Sequence, residues 1–142
     1  MLSWVRLLTV ALSCATNPDV RKLDFWLGEW VVQGAGTSRV ALSLDKCVFT
    51  ETWAGAHHHR GENVLAYSVD DSTWRAFFAD NEGRVHVFEQ GRIAGDTAEF
   101  LGNRNRILLI RVGPSEVRQV WEKSGQVVFE AVYTRRKSAP LR

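Results

Sequence analysis

A carboxylate set between aromatic residues is the first feature of this chain that could do chemistry. Glu51 follows Phe49 by two positions and precedes Trp53 by two, so in an extended strand the three side chains share one face. If that face is inward, the carboxylate enters an apolar interior and must meet hydrogen-bond donors or take up a proton. Arg118 and Gln119 are candidate partners from late in the chain; neighbours in a strand face opposite sides, so only one of them can point inward. His57, His58 and His59 form a second cluster. A strand would send them to alternate faces, whereas a loop could converge two of them on a metal ion, helped by His86 or a carboxylate. Their spacing matches no established zinc pattern, and Ala56 and Arg60-Gly61 around them read as an exposed hairpin link, which makes solvated imidazoles the simpler expectation. There is no Gly-x-Ser-x-Gly elbow, no Ser/His/Asp order, no Cys/His pair and no phosphate-cradling loop before a helix, so the chain reads as a binder rather than an enzyme.

The element that must position these groups is a strand. Among 142 residues, 45% are apolar and 24% charged, which suits one globular domain and excludes wholesale disorder. Lys+Arg 18 against Asp+Glu 16 are dispersed along the chain, so nucleic acid is not an expected partner. From Leu23 onward the period is two rather than 3.6, as in Val40-x-Leu42-x-Leu44, Trp74-x-Ala76-x-Phe78 and Val127-x-Phe129-x-Ala131-x-Tyr133. Turn residues punctuate these runs: Gly34-Ala35-Gly36, Asp70-Asp71-Ser72, Asn81-Glu82-Gly83, Gly95-Asp96, Gly102-Asn103 and Ser124-Gly125 among others. About ten strands follow, over 24–33, 37–44, 46–54, 62–70, 73–80, 83–91, 93–101, 104–112, 115–123 and 126–135. Trp26, Gly28 and Trp30 fall on one face of the first. Short links imply sequential antiparallel pairing, and closing the sheet into an up-and-down barrel removes its edges; a two-sheet sandwich is the alternative. A barrel of this size can keep an interior cavity.

The ends carry a separate signal. Residues 1–18 read as a leader: Arg6, an apolar run from Leu7 to Leu12, then small Ser13, Cys14 and Ala15, the order of a secretory signal. Ala11-Leu12-Ser13-Cys14 also resembles a bacterial lipobox, with Ala11 in place of the usual Leu, which would make Cys14 a lipidated membrane tether. Export to the periplasm or a lipid anchor is the expectation, and a cytosolic leader the alternative. On either export reading Cys47 stands alone, a small buried apolar residue without an internal disulfide. Residues 137–142 read as a solvated basic tail, and the barrel as residues 20–136.

Four ordered segments resemble a bacterial family of uncharacterised lipocalin-like domains within the calycin superfamily. Leu23-Asp24-Phe25-Trp26-Leu27-Gly28-Glu29-Trp30 is similar to its Phe-Asp-Phe-Trp-x-Gly-x-Trp opening, with Leu23 where the first Phe usually stands. Cys47 to Gly55 resembles its Cys-x-x-x-Glu-x-Trp-x-Gly segment, Arg118-Gln119-Val120-Trp121-Glu122 its late strand, and Tyr133 to Arg136 its closing strand. His57-His58-His59 departs from the Gly-rich sequence more usual there. The resemblance implies a β-barrel with a pocket and brings no established activity. It favours Gln119 and Trp121 as the inward pair, and places one of Trp26 and Trp30 as a plug at the closed end. A cation often packs over that tryptophan in calycins, and Arg135 is the first candidate. A related branch of such barrels holds haem through a histidine, but no single histidine here aligns with that ligand.

The expected work is therefore non-catalytic binding of a small apolar or amphipathic molecule. Phe49, Trp53, Phe78, Trp121 and Tyr133 would supply apolar surface, and Glu51 and Gln119 would orient the guest. No cofactor is needed for that reading. One alternative is a haem- or metal-binding barrel with redox or other enzymatic activity, using His57, His58, His59 or His86. The other is a structural or interaction module with a filled core.

Overall fold

The computed structural model describes residues 13–137, and within them the sheet closes on itself. Ten antiparallel strands follow in chain order: β1 (Gly28–Val32), β2 (Gly36–Ser43), β3 (Val48–Ala54), β4 (Arg60–Ser68), β5 (Thr73–Asp80), β6 (Val85–Ala94), β7 (Thr97–Gly102), β8 (Asn105–Gly113), β9 (Glu116–Lys123) and β10 (Gln126–Arg135). Each pairs with its sequence neighbour, and β1 closes the ring against β10 with Trp30 opposite Arg135. The up-and-down barrel is thus the architecture, not a sandwich.

The first expected strand is corrected at its start. Residues 24–27 do not extend β1: Asp24–Trp26 form a 3₁₀ turn, with the Trp26 N–H donating to Leu23 O at 3.0 Å. Ahead of it lies a short helix, α1 (Pro18–Arg21). Asn17 caps that helix by accepting from the Asp19 N–H at 2.9 Å, and Pro18 suits the first helical position. Trp26 therefore reaches the interior from a turn rather than from the strand that carries Trp30.

Cys47 is not a lone apolar residue. Cys14 and Cys47 form a disulfide with Cα atoms 5.0 Å apart, which staples the N-terminal segment to the β2–β3 turn. Arg21 Nη2 adds a hydrogen bond to Lys46 O at 2.7 Å on the same turn. A Cys14 sulfur held in that bond could not carry a lipid at the same time. The apolar part of the leader reading, over residues 1–12, and the tail beyond residue 137 lie outside the described residues.

The stapled segment shuts one end of the barrel. Val20, Leu23, Trp26, Trp30, Phe49, Leu65 and Trp74 are all buried there or beneath it. Trp74 lies 5.7 Å from both Phe49 and Tyr67, centroid to centroid, and the Trp30 indole N–H donates to Trp26 O at 2.9 Å. Arg135 sits 4.3 Å over the Trp30 ring and donates to Leu27 O at 2.5 Å and Phe25 O at 3.3 Å. It thereby ties the last strand to the turn before the first. Gly28, at φ +127°, makes room for this; a Cβ there would collide with Arg135 Nη1.

Candidate functional site

The opposite end, bounded by the β1–β2, β3–β4, β5–β6, β7–β8 and β9–β10 turns, holds a cavity of about 680 Å³. Residues from nine of the ten strands line it, β7 contributing none. Period two on β3 brings both Glu51 and Trp53 to it; β9 brings Gln119 and Trp121, and β10 brings Tyr133.

The floor is polar, buried and bonded. Glu51 is 2% exposed. Its Oε1 accepts from Ser38 Oγ at 2.7 Å and its Oε2 from Asn63 Nδ2 at 2.6 Å. The Tyr133 hydroxyl donates to Gln119 Oε1 at 2.6 Å and stands 3.5 Å from Glu51 Oε1. Burial pushes the Glu51 carboxyl above the usual range, against the lowering effect of the Ser38, Asn63 and Tyr133 donors. Burial, and then the Glu51 charge, raises the Tyr133 phenol well above its ordinary value.

Aromatic side chains make the wall. Trp53 packs against Gly61, where a Cβ would come within 2.5 Å of its ring. The Trp121 indole N–H donates to Asn105 Oδ1 at 2.9 Å, and its ring stands edge-on to Phe78 at 6.0 Å and to His86 at 4.8 Å. Burial, and then the Lys123 charge, lowers the His86 pKa and favours the neutral imidazole.

Two loops are stitched together at the rim. Asn81 Nδ2 donates to His58 O at 2.8 Å, and the Arg60 N–H donates to Asn81 Oδ1 at 2.9 Å. His59 Nε2 meets Asp80 Oδ2 at 3.1 Å while its ring lies edge-on to Trp53 at 4.7 Å. Burial works against the Asp80 charge, but the Arg84 N–H and guanidinium, the His59 ring and the Glu82 N–H outweigh it and hold the carboxyl well below the usual range.

His59, Asp80 and Glu82 bring ligating atoms within 4.8 Å of one another, the geometry a metal ion would need. The Arg84 guanidinium already occupies that role. It bonds Asp80 Oδ2 at 2.9 Å and Glu82 Oε2, and lies 3.5 Å from His59 Nε2. A tethered cation so placed offsets one of the two carboxylate charges and engages an oxygen of each. His57, His58 and His86 form no such group with His59 among the described residues, so the alternative of a histidine cluster around a metal is not assembled. His57 and His86 line the cavity separately; His58 does not line it and faces solvent.

Of the residues expected to line a pocket, the structure places Glu51, Trp53, Phe78, Gln119, Trp121 and Tyr133 around one cavity. Phe49 is corrected: it is fully buried in the closed half, against Trp74 and under Arg21. Arg118 points outward to Glu130 and has no part in the Glu51 network. Sequence reasoning missed Ser38 and Asn63, both buried on the inward face. Their signal was available, since Ser38 continues the period of Val40 and Leu42, and Asn63 that of Leu65 and Tyr67. A second depression, of about 1040 Å³, lies where Val87 and Leu101 are exposed on the outer surface. It is larger but shallow, and none of its lining residues belongs to the bonded floor, so the interior cavity is the candidate site. No family model matches this chain, and neither does any curated protein.

Proposed function

We propose that this protein binds a small apolar or amphipathic molecule inside a lipocalin-like barrel, without transforming it. The observation that carries the reading is the cavity of about 680 Å³ between an aromatic wall and a hydrogen-bonded polar floor. Such a site pairs apolar burial with a few fixed polar groups, the usual division of labour in small-molecule pockets. Each 100 Å² of apolar ligand surface removed from water contributes about 2.5 kcal/mol, less the cost of immobilisation. Gly28 and Trp30 beneath Arg135 support kinship with the calycin barrels. The Cys14–Cys47 disulfide supports residence in an oxidising compartment, in a mature chain that keeps Cys14.

Titration with the apolar dye N-phenyl-1-naphthylamine tests the binding reading. A saturable fluorescence rise with one dye per chain, weakened by Trp53→Ala, is the expected result. A linear, non-saturating signal would overturn it.

A further inference from the structure

The floor of the cavity carries a finer reading, which rests on the binding function proposed above. Tyr133 has one O–H and two acceptors within reach, Gln119 Oε1 at 2.6 Å and Glu51 Oε1 at 3.5 Å. The shorter contact takes the proton. With its carbonyl turned to Tyr133, Gln119 offers its amide N–H groups as free donors toward the cavity that it lines. The reverse arrangement turns the Tyr133 O–H onto Glu51 and flips Gln119, whose nitrogen then donates to the Tyr133 oxygen and whose carbonyl faces the cavity. The two states present opposite polarity to a guest. A protonated Glu51 has its own O–H to give the Tyr133 oxygen and so holds the first; an ionised Glu51 draws the Tyr133 proton and favours the second.

No cation among the described residues pairs with Glu51. Its direct partners are Ser38 on β2, Asn63 on β4 and Tyr133 on β10. The ionisable groups sharing the cavity, His57, His59, Asp80, Glu82, Arg84, His86 and Lys123, make no hydrogen bond to it. Asp80, Glu82 and Arg84 are bonded to one another at the rim.

We propose that Glu51, Tyr133 and Gln119 form a polarised chain that selects a guest with a hydrogen-bond acceptor at its buried end. A ketone, ester or amide carbonyl on an apolar body fits, received by Gln119 Nε2 while Glu51 holds a proton. An ammonium-headed amphiphile is the opposite case, since it would need Glu51 ionised and stripped of its donors.

Competition against bound N-phenyl-1-naphthylamine decides between them, using 2-undecanone, undecylamine and undecane. At pH 7 the ketone is expected to displace the dye about tenfold more effectively than the other two, the worth of one well-placed hydrogen bond. Gln119→Leu should erase the ketone's advantage over undecane, read as the ratio of the two affinities in the same variant. Glu51→Gln should keep the ketone preference, because its amide donates where the acid did, and should abolish the loss of that preference expected of the wild type as pH rises and Glu51 ionises. A ketone no better than undecane, or undecylamine bound most tightly and lost in Glu51→Gln, would overturn the chain. Failure of all three to displace the dye, or of the dye to bind, would overturn the binding function itself.

Discussion

Behind the short helix and the 3₁₀ turn, Trp26, Trp30, Phe49 and Trp74 are buried in one apolar cluster. At the other end of the same strands Trp53 and Trp121 are only part-buried and Phe129 is 39% exposed, all around an empty volume. The strand pattern alone does not explain the contrast, since most strands alternate inward and outward along their whole length, β10 with its bulge between Val127 and Phe129 being an exception. What differs is the cover. Residues 13–27 fold over one end and are fixed there by the disulfide, whereas short turns alone border the other. Aromatic residues thus serve as core where the chain supplies a lid and as a wall where it does not.

Equivalent truncations at the two ends should separate these roles most sharply. Trp30→Ala removes a fully buried ring and the surface on which Arg135 rests, and should cost about 3–5 kcal/mol in urea unfolding with little change in dye affinity per folded molecule. Trp53→Ala should do the reverse, with a smaller loss of stability and dye binding weakened about tenfold. Equal effects of the two changes on binding would break the division.

Opening the Cys14–Cys47 bond comes next. Its sequence separation of 33 corresponds to about 3–4 kcal/mol of stabilisation through the unfolded chain. Reduction, or Cys47→Ser, should lower the urea midpoint accordingly and leave dye binding at the far end intact. A simultaneous loss of binding would show that the lid and the cavity are coupled.

A smaller effect should come from Glu51, and its sign is fixed by burial. The folded-state pKa lies above the ordinary carboxyl value of 4.5, so the folded protein holds this proton more tightly than the unfolded chain. The associated stability is complete below that ordinary value, is lost as pH rises through the raised folded value, and stays lost above it. Every tenfold difference in proton affinity is worth about 1.4 kcal/mol. Glu51→Gln should therefore gain on the wild type between pH 4 and pH 8 in parallel urea titrations, and a constant difference would contradict a raised pKa. At the bottom of the scale, Arg118→Ala, which removes an exposed contact to Glu130, should change stability by less than about 0.5 kcal/mol and binding not at all.

The barrel itself was legible because period two and turn residues are local signals. Val127 to Tyr133 alternate as a strand must, and Ser124-Gly125 before them read as a hairpin turn. Residues 24–27 misled because their apolar spacing suits both an extended strand and a tight 3₁₀ turn, and only the cover over the barrel end decides between them. The disulfide was hidden for the same reason: Cys14 and Cys47 meet only when the N-terminal segment crosses to the β2–β3 turn. Glu51 stood out by its own oddity between aromatic residues. Its partners Ser38 and Asn63 did not, because small polar residues are unremarkable in a strand until the inward face is known. Phe49 and Trp53 share that face, and only their depth along the barrel makes one a core residue and the other part of a wall.

The claim that this barrel is solid at one end and hollow at the other can be tested through its tryptophans. In a Trp4→Phe background, a brominated undecane should quench fluorescence saturably at one molecule per chain. The quenching should vanish once Trp53 and Trp121 are both changed to Phe, leaving Trp26, Trp30 and Trp74 shielded in the closed half. Quenching that survives the double change, or never saturates, would contradict the account.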